Sequence, residues 1–197
     1  DPIDAGWASV TARPGWLRLR GRESLHSRFF QSLVAKRLTE HRCTARTLLE
    51  FQPEHFTQSA GLICYYDTRT HFYLRVTHDE HRGRILGVAL TDDGAYTELV
   101  DAALDVNDWS AFHLRAEMDG AQLQFSASRD GASWLAVGPA LDASKLSDDH
   151  GTALHFTGAF AGLCAQDLGG AGTSADFAFF ELICTPVCLL ESAYAYQ

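Results

Sequence analysis

No stretch of the 197 residues approaches the roughly 20 consecutive apolar residues of a membrane-spanning helix, so no membrane partner is expected. No block of Lys and Arg occurs either. With 16 cationic residues against 25 acidic ones and a formal charge of −9, the chain lacks the clustered cations that grip phosphates. This argues against a nucleic-acid partner and for plain acidic solubility. The opening DPIDAGWASV shows neither a basic n-region nor an apolar h-region, and reads as carrying no secretory signal. Cysteine is scarce as well: five residues, odd in number and irregular in spacing, do not form a secreted disulfide framework. Cys64 and Cys164 fall in strand-like runs and read as small buried hydrophobes. Cys184 and Cys188 make a lone C-x3-C, a weak zinc signal because a structural site needs four ligands. Free cysteines and the missing signal together lead to the expectation of a cytoplasmic location.

Catalytic signatures are missing too. There is no G-x-S-x-G elbow, Walker loop, G-x-G-x-x-G or H-E-x-x-H, and no E-x-D-x-x-E of the kind that builds an active site on a lectin-like sandwich. A glycosidase needs two carboxylates placed across a cleft, and the spacing of Asp and Glu singles out no such pair. His78-Asp79-Glu80-His81 contains metal-ligating residue types, but neighbours on a strand point to opposite faces and Arg82-Gly83 follows directly. A solvated hairpin tip is the expectation there.

No run of 12 residues carries a helical apolar stripe. What the chain has instead is alternation: WLRLR, SLVAKR, CTARTLLEF, RILGVALT, FHLRAEMD and QLQFSASRD each read as strands. GLICYY and HFYLRV form a hairpin joined at Asp67 to Thr70. Asp92-Asp93-Gly94, Asp119-Gly120 and Asp130-Gly131 supply three further hairpin signals. LDASKLSDD is the one stretch able to make a turn of helix. The densest concentration of rings and small residues lies at the end, from His155 to Leu182. There Phe160 to Gln166 reads as a central strand, DLGGAGTS as a loop, and Ala175 to Ile183 as a closing strand. In that last strand Phe177, Phe179, Glu181 and Ile183 share one face, and Phe177, Phe179 and Phe180 are expected in the core. About a dozen short strands with almost no helix predict an all-β fold, a β-sandwich of two antiparallel sheets in one domain. Phe156 stands just outside a strand after a polar loop, where it either faces a ligand or partner or folds back as a loop anchor.

In this order, ARPGWLRLRGRESL, AGLICYYD, DGASW, LDASKLSDD, FTGAFAGLCAQDL and ADFAFFEL resemble the C-terminal module of glycoside hydrolase family 43 β-xylosidases and α-arabinofuranosidases. The match covers about residues 7 to 183. It implies a concanavalin A-like jelly roll packed on a five-bladed catalytic propeller, with xylo-oligosaccharides or arabinosides as the substrates of the whole enzyme and no catalysis by this chain alone. It also implies that a sandwich loop lends a ring to the propeller's pocket wall. By position Phe156 is the first choice and Phe160 the second, acting through desolvation and positioning rather than proton transfer. Some members of the family hold calcium in the sandwich, which would fall to Asp176, although a surface or capping Asp fits equally. Two departures stand out: the acidic first strand that the family places ahead of Trp7 is not found, and residues 184–197 extend beyond the module proper at 1–183. The apolar LLESAYAY is expected to pack on an exposed sheet edge. A free-standing lectin-like carbohydrate-binding protein and a module for homo-oligomerisation are the competing readings.

Overall fold

A computed structural model describes residues 6–152 and 156–186. The alternating runs form two antiparallel sheets. The first places β1 (Ala8–Ser9), β2 (Leu17–Arg20), β15 (Ser174–Thr185), β4 (Arg42–Glu50), β10 (Phe112–Asp119), β11 (Gln122–Ser128) and β12 (Leu135–Ala136) side by side, with β13 (Leu141–Asp142) also on β11. The second runs β3 (Ser32–Arg37), β14 (Phe160–Asp167), β5 (Gln58–Tyr65), β6 (His71–Asp79), β7 (Gly83–Asp92) and β8 (Ala95–Glu98), with β9 (Leu104–Asp105) on β7. Their facing sides bury one core, in which Leu19, Leu49, Phe112 and Phe177 of the first sheet meet Leu62 and Leu74 of the second. This is the two-layer sandwich that the period-2 pattern calls for. Among the described residues no helix is long and apolar enough to cross a membrane.

Turn chemistry fixes the registers. Asp92 pairs with Ala95 across a two-residue loop in which Asp93 (φ 44°) and Gly94 (φ 87°) are both left-handed. That is the type I′ pattern, whose twist suits a hairpin. Asp119 pairs with Gln122 around Gly120 (φ 59°). The third Asp-Gly signal behaves differently. The Asp130 carboxylate accepts from the amides of Ala132 and Ser133, so the chain makes a longer loop, and the strand that follows is only Leu135–Ala136.

The second sheet is covered on its outer side as well. Leu25, from the connection after β2, packs there on Ile63, Tyr73 and Cys164. β5 is therefore buried along nearly its whole length, which explains why its sequence is apolar without alternation. At Gly61 an added Cβ would lie 2.0 Å from the Leu74 carbonyl oxygen, so only glycine admits this strand spacing.

β15 corrects the alternation read from the sequence. Its register against β4 shifts between Phe177 and Phe179, a β-bulge. One extra residue reverses the sides beyond it: Phe177 is buried, Phe180 and Leu182 pack on the core, and Phe179 turns outward, 44% exposed. The strand also continues to Thr185, two residues past the expected end of the module. There Cys184 faces Cys43 of β4, and the two form a disulfide that joins positions 141 residues apart. This corrects the expectation of free cysteines for that pair and takes it out of the set that pointed to a cytoplasmic location. Cys64 and Cys164 remain free and buried. Cys188 and the LLESAYAY segment lie outside the described residues.

Candidate functional site

The loop that carries Phe156 begins at β13. The Asp142 carboxylate caps a short 3-10 turn, Ala143–Lys145, by accepting from the Ser144 amide, and buried Leu146 anchors its end. Three side-chain contacts then fasten the following residues to the ends of the second sheet. Tyr66 donates its hydroxyl to Asp148 at 2.5 Å, His150 Nε2 lies 2.6 Å from Asp92 Oδ1, and the Thr152 hydroxyl reaches Asp93 at 3.3 Å. Lys145 also donates to Asp92, at 2.5 Å. On the far side the Thr157 hydroxyl donates to the Tyr66 carbonyl, and the Ala159 carbonyl accepts from the Leu38 amide at 2.9 Å. Lys145, and after it His150, hold the Asp92 carboxyl below the usual range, and Arg69 does the same for Asp93.

Between these fastenings the Phe156 ring stands out from the protein, 83% exposed. It is not folded back as a loop anchor. Phe160, the second choice for the pocket wall, opens β14 half-buried, with the Arg37 guanidinium 5.1 Å from its ring centroid. The two rings thus sit at the same end of the sandwich in different settings, one free and one engaged with a cation on the neighbouring strand.

Asp176 lies on β15 in the first sheet. Arg18 of β2 grips both its oxygens at 2.7 Å, and Arg13 adds a contact of 3.1 Å while also binding Glu50 at 2.7 Å. Arg18, and after it Arg13, keep the Asp176 carboxyl below the usual carboxylate range. Calcium takes six to eight oxygen ligands. Here two guanidinium groups occupy the carboxylate, so the donor set does not fit that ion. Among the described residues no group of three or more His, Cys, Asp and Glu is placed to hold a metal. His78 and Asp79 end β6, and Glu80 to Arg82 make the turn to β7, where the Asp79 carboxylate accepts from the amides of His81 and Arg82.

Among the described residues, the carboxyls that the fold perturbs, Asp92, Asp93, Glu98, Asp167 and Asp176 included, are all held low. A general acid at neutral pH requires the opposite shift. What the arrangement at Phe156 offers is an exposed apolar ring.

A groove that no sequence motif marks lies on the outer face of the second sheet. It has a volume of about 350 Å³, and His71, Tyr73 and Arg75 of β6 line it together with Thr91, Tyr96 and Glu98. The signal was present in HFYLRV: Phe72, Leu74 and Val76 face the core, so the ring and charge at the alternate positions must face the other way.

Residues 1–182 match the family model of the beta xylosidase C-terminal concanavalin A-like domain. A xylan 1,3-beta-xylosidase of Vibrio sp is 38% identical over 184 residues, which are 93% of this chain and 34% of that protein. A putative beta-xylosidase of Escherichia coli (strain K12) is 41% identical over 182 residues, again with 34% of its length covered. The crystal structure of xylan beta-1,4-xylosidase from Bacillus halodurans C-125 superimposes with a TM-score of 0.89 at 41% identity, over 92% of this chain and 35% of that one. The chain therefore spans about a third of the length of the relatives it matches. Its two sheets, their order and this sequence kinship make it a member of the family of beta-xylosidase C-terminal concanavalin A-like domains.

Proposed function

We propose that the chain serves as the non-catalytic sandwich of a xylan-degrading glycoside hydrolase of β-xylosidase type. It packs on a catalytic propeller and lends the Phe156 ring to the wall of that domain's pocket. The observation that carries this reading is the ring itself: an 83% exposed phenyl group on a loop pinned through Asp148, His150 and Thr157. Exposing such a ring in water wastes apolar surface, and fixing its loop restricts chain entropy, so a partner surface that covers it accounts for both costs. A ring in the wall of a sugar pocket excludes water and holds the substrate, while acids elsewhere carry the proton transfers.

The relatives support the first half of this reading, since two thirds of each lies outside the match. The test is steady-state hydrolysis of 4-nitrophenyl β-D-xyloside. The 197-residue chain alone is expected to give no turnover above buffer. A catalytic domain carrying this sandwich is expected to turn over and to weaken when Phe156 is truncated.

A further inference from the structure

The groove on the outer face of the second sheet takes no part in anchoring Phe156. Its floor consists of outward-facing residues of three adjacent strands: His71, Tyr73 and Arg75 of β6, Thr91 of β7, and Tyr96 and Glu98 of β8. Leu25, His26 and Phe56 complete the lining, Phe56 being 65% exposed. At about 350 Å³ it falls at the small end of ligand sites, roughly 300–1,000 Å³.

Its chemistry narrows the ligand class. Arg75 and Glu98 form an ion pair at 2.6 Å, with the Arg75 side chain only 12% exposed, so the two charges of the groove cancel. The Tyr96 hydroxyl donates to Glu98 Oε1, the same oxygen that meets Arg75, and leaves Oε2 as an acceptor. His71 Nδ1 lies 3.1 Å from the Asp67 carbonyl oxygen, which can only accept; the ring proton is therefore at Nδ1 and Nε2 is an acceptor. Burial pushes the His71 pKa down to about 4, so the ring is neutral near pH 7. Thr91 lies fully buried in the floor beneath the groove, its hydroxyl without a hydrogen-bond partner. Tyr96, 52% exposed, and Phe56, 65% exposed, add two aromatic rings to the lining.

An ionic ligand would find no unpaired counter-charge here. A purely apolar ligand would bury an ion pair and a hydroxyl without giving hydrogen bonds in return. A neutral molecule dense in hydroxyls, with C–H faces for stacking, answers both the ion pair and the exposed rings. We propose that this groove is a binding site for a neutral carbohydrate one or two sugar residues long, stacked on Tyr96 and Phe56 and hydrogen-bonded to the Arg75–Glu98 pair.

The test is an NMR titration of the 197-residue chain with xylobiose, with maltose, and with glucuronate as the charged control. The expected result is saturable binding of a neutral disaccharide at millimolar concentration, with amide shifts centred on His71, Thr91 and Tyr96. Tyr96→Ala, whose exposed position on a short strand spares the fold, and Glu98→Gln are each expected to weaken that binding about tenfold. Phe156→Ala is expected to leave it unchanged, which separates this site from the proposed role of the Phe156 loop. The proposal is overturned if neither disaccharide binds, if glucuronate binds more tightly than both, if the shifts gather around Phe156, or if Tyr96→Ala and Glu98→Gln bind as the wild type does.

Discussion

Tyr66 and Asp148, 82 positions apart in the chain, meet through a hydrogen bond of 2.5 Å that ties the loop before Phe156 to the end of the second sheet. The hydroxyl is the polar tip of a buried ring. Tyr66→Phe keeps the ring and removes the bond, so chemical denaturation is expected to show a loss of about 1 kcal/mol.

The exposed ring itself contributes little to the fold. Phe156→Ala is expected to change unfolding stability by less than about 0.5 kcal/mol, because an exposed side chain loses no buried contact on truncation. Truncating Phe177, fully buried on β15, is expected to cost about 3–5 kcal/mol in the same measurement. The contrast between the two separates a ring placed for a partner from one placed for the core.

Acid should weaken the protein in a defined window. His71 is buried against His26 and Tyr65, near Asp67, and its pKa drops to about 4 from an unfolded value near 6.5. The unfolded chain therefore takes up this proton first. Stability is complete above pH 6.5, declines as pH falls towards 4, and levels off below that after a loss of about 3 kcal/mol from this residue. Asp176, held low by Arg18 and Arg13, acts in the same direction at lower pH: its contribution is present above the unfolded carboxyl range and fades as pH falls through its folded value. Denaturation of His71→Gln between pH 7 and 4 is expected to be flatter than that of the wild type.

The cluster around Asp176 predicts how the first sheet responds to metal and to charge. Asp176→Asn strips two arginines of a largely buried partner and is expected to cost about 2–3 kcal/mol. Chelation with EDTA, or added calcium, is expected to leave Tm unchanged, because the oxygens that would bind the ion are held by Arg18 and Arg13.

Most of this architecture is local in the sequence and therefore legible there. Asp93-Gly94 and Asp119-Gly120 mark turns through backbone conformations that few residue pairs accept, and the flanking runs alternate because each strand has one core face. The bulge between Phe177 and Phe179 was not legible: one inserted residue reverses every side chain beyond it without altering composition. Pairings across the chain were equally hidden. Nothing local to Cys184 points to Cys43, and nothing local to Asp176 points to Arg18 and Arg13, because sheet topology alone brings these residues together. The groove escaped for a third reason. His71, Tyr73 and Arg75 form one face of a strand whose other face builds the core, and only the strand order reveals that β8 completes the site with Tyr96 and Glu98.

The role assigned to Phe156 is tested most directly by the rate of nitrophenol release from 4-nitrophenyl β-D-xyloside by a catalytic domain joined to this sandwich, with and without the ring. Phe156→Ala is predicted to lower kcat/KM by about tenfold or more, the loss of roughly 1.4 kcal/mol of positioning and water exclusion, with unfolding stability unchanged. Wild-type kinetics from the truncated variant would contradict the account.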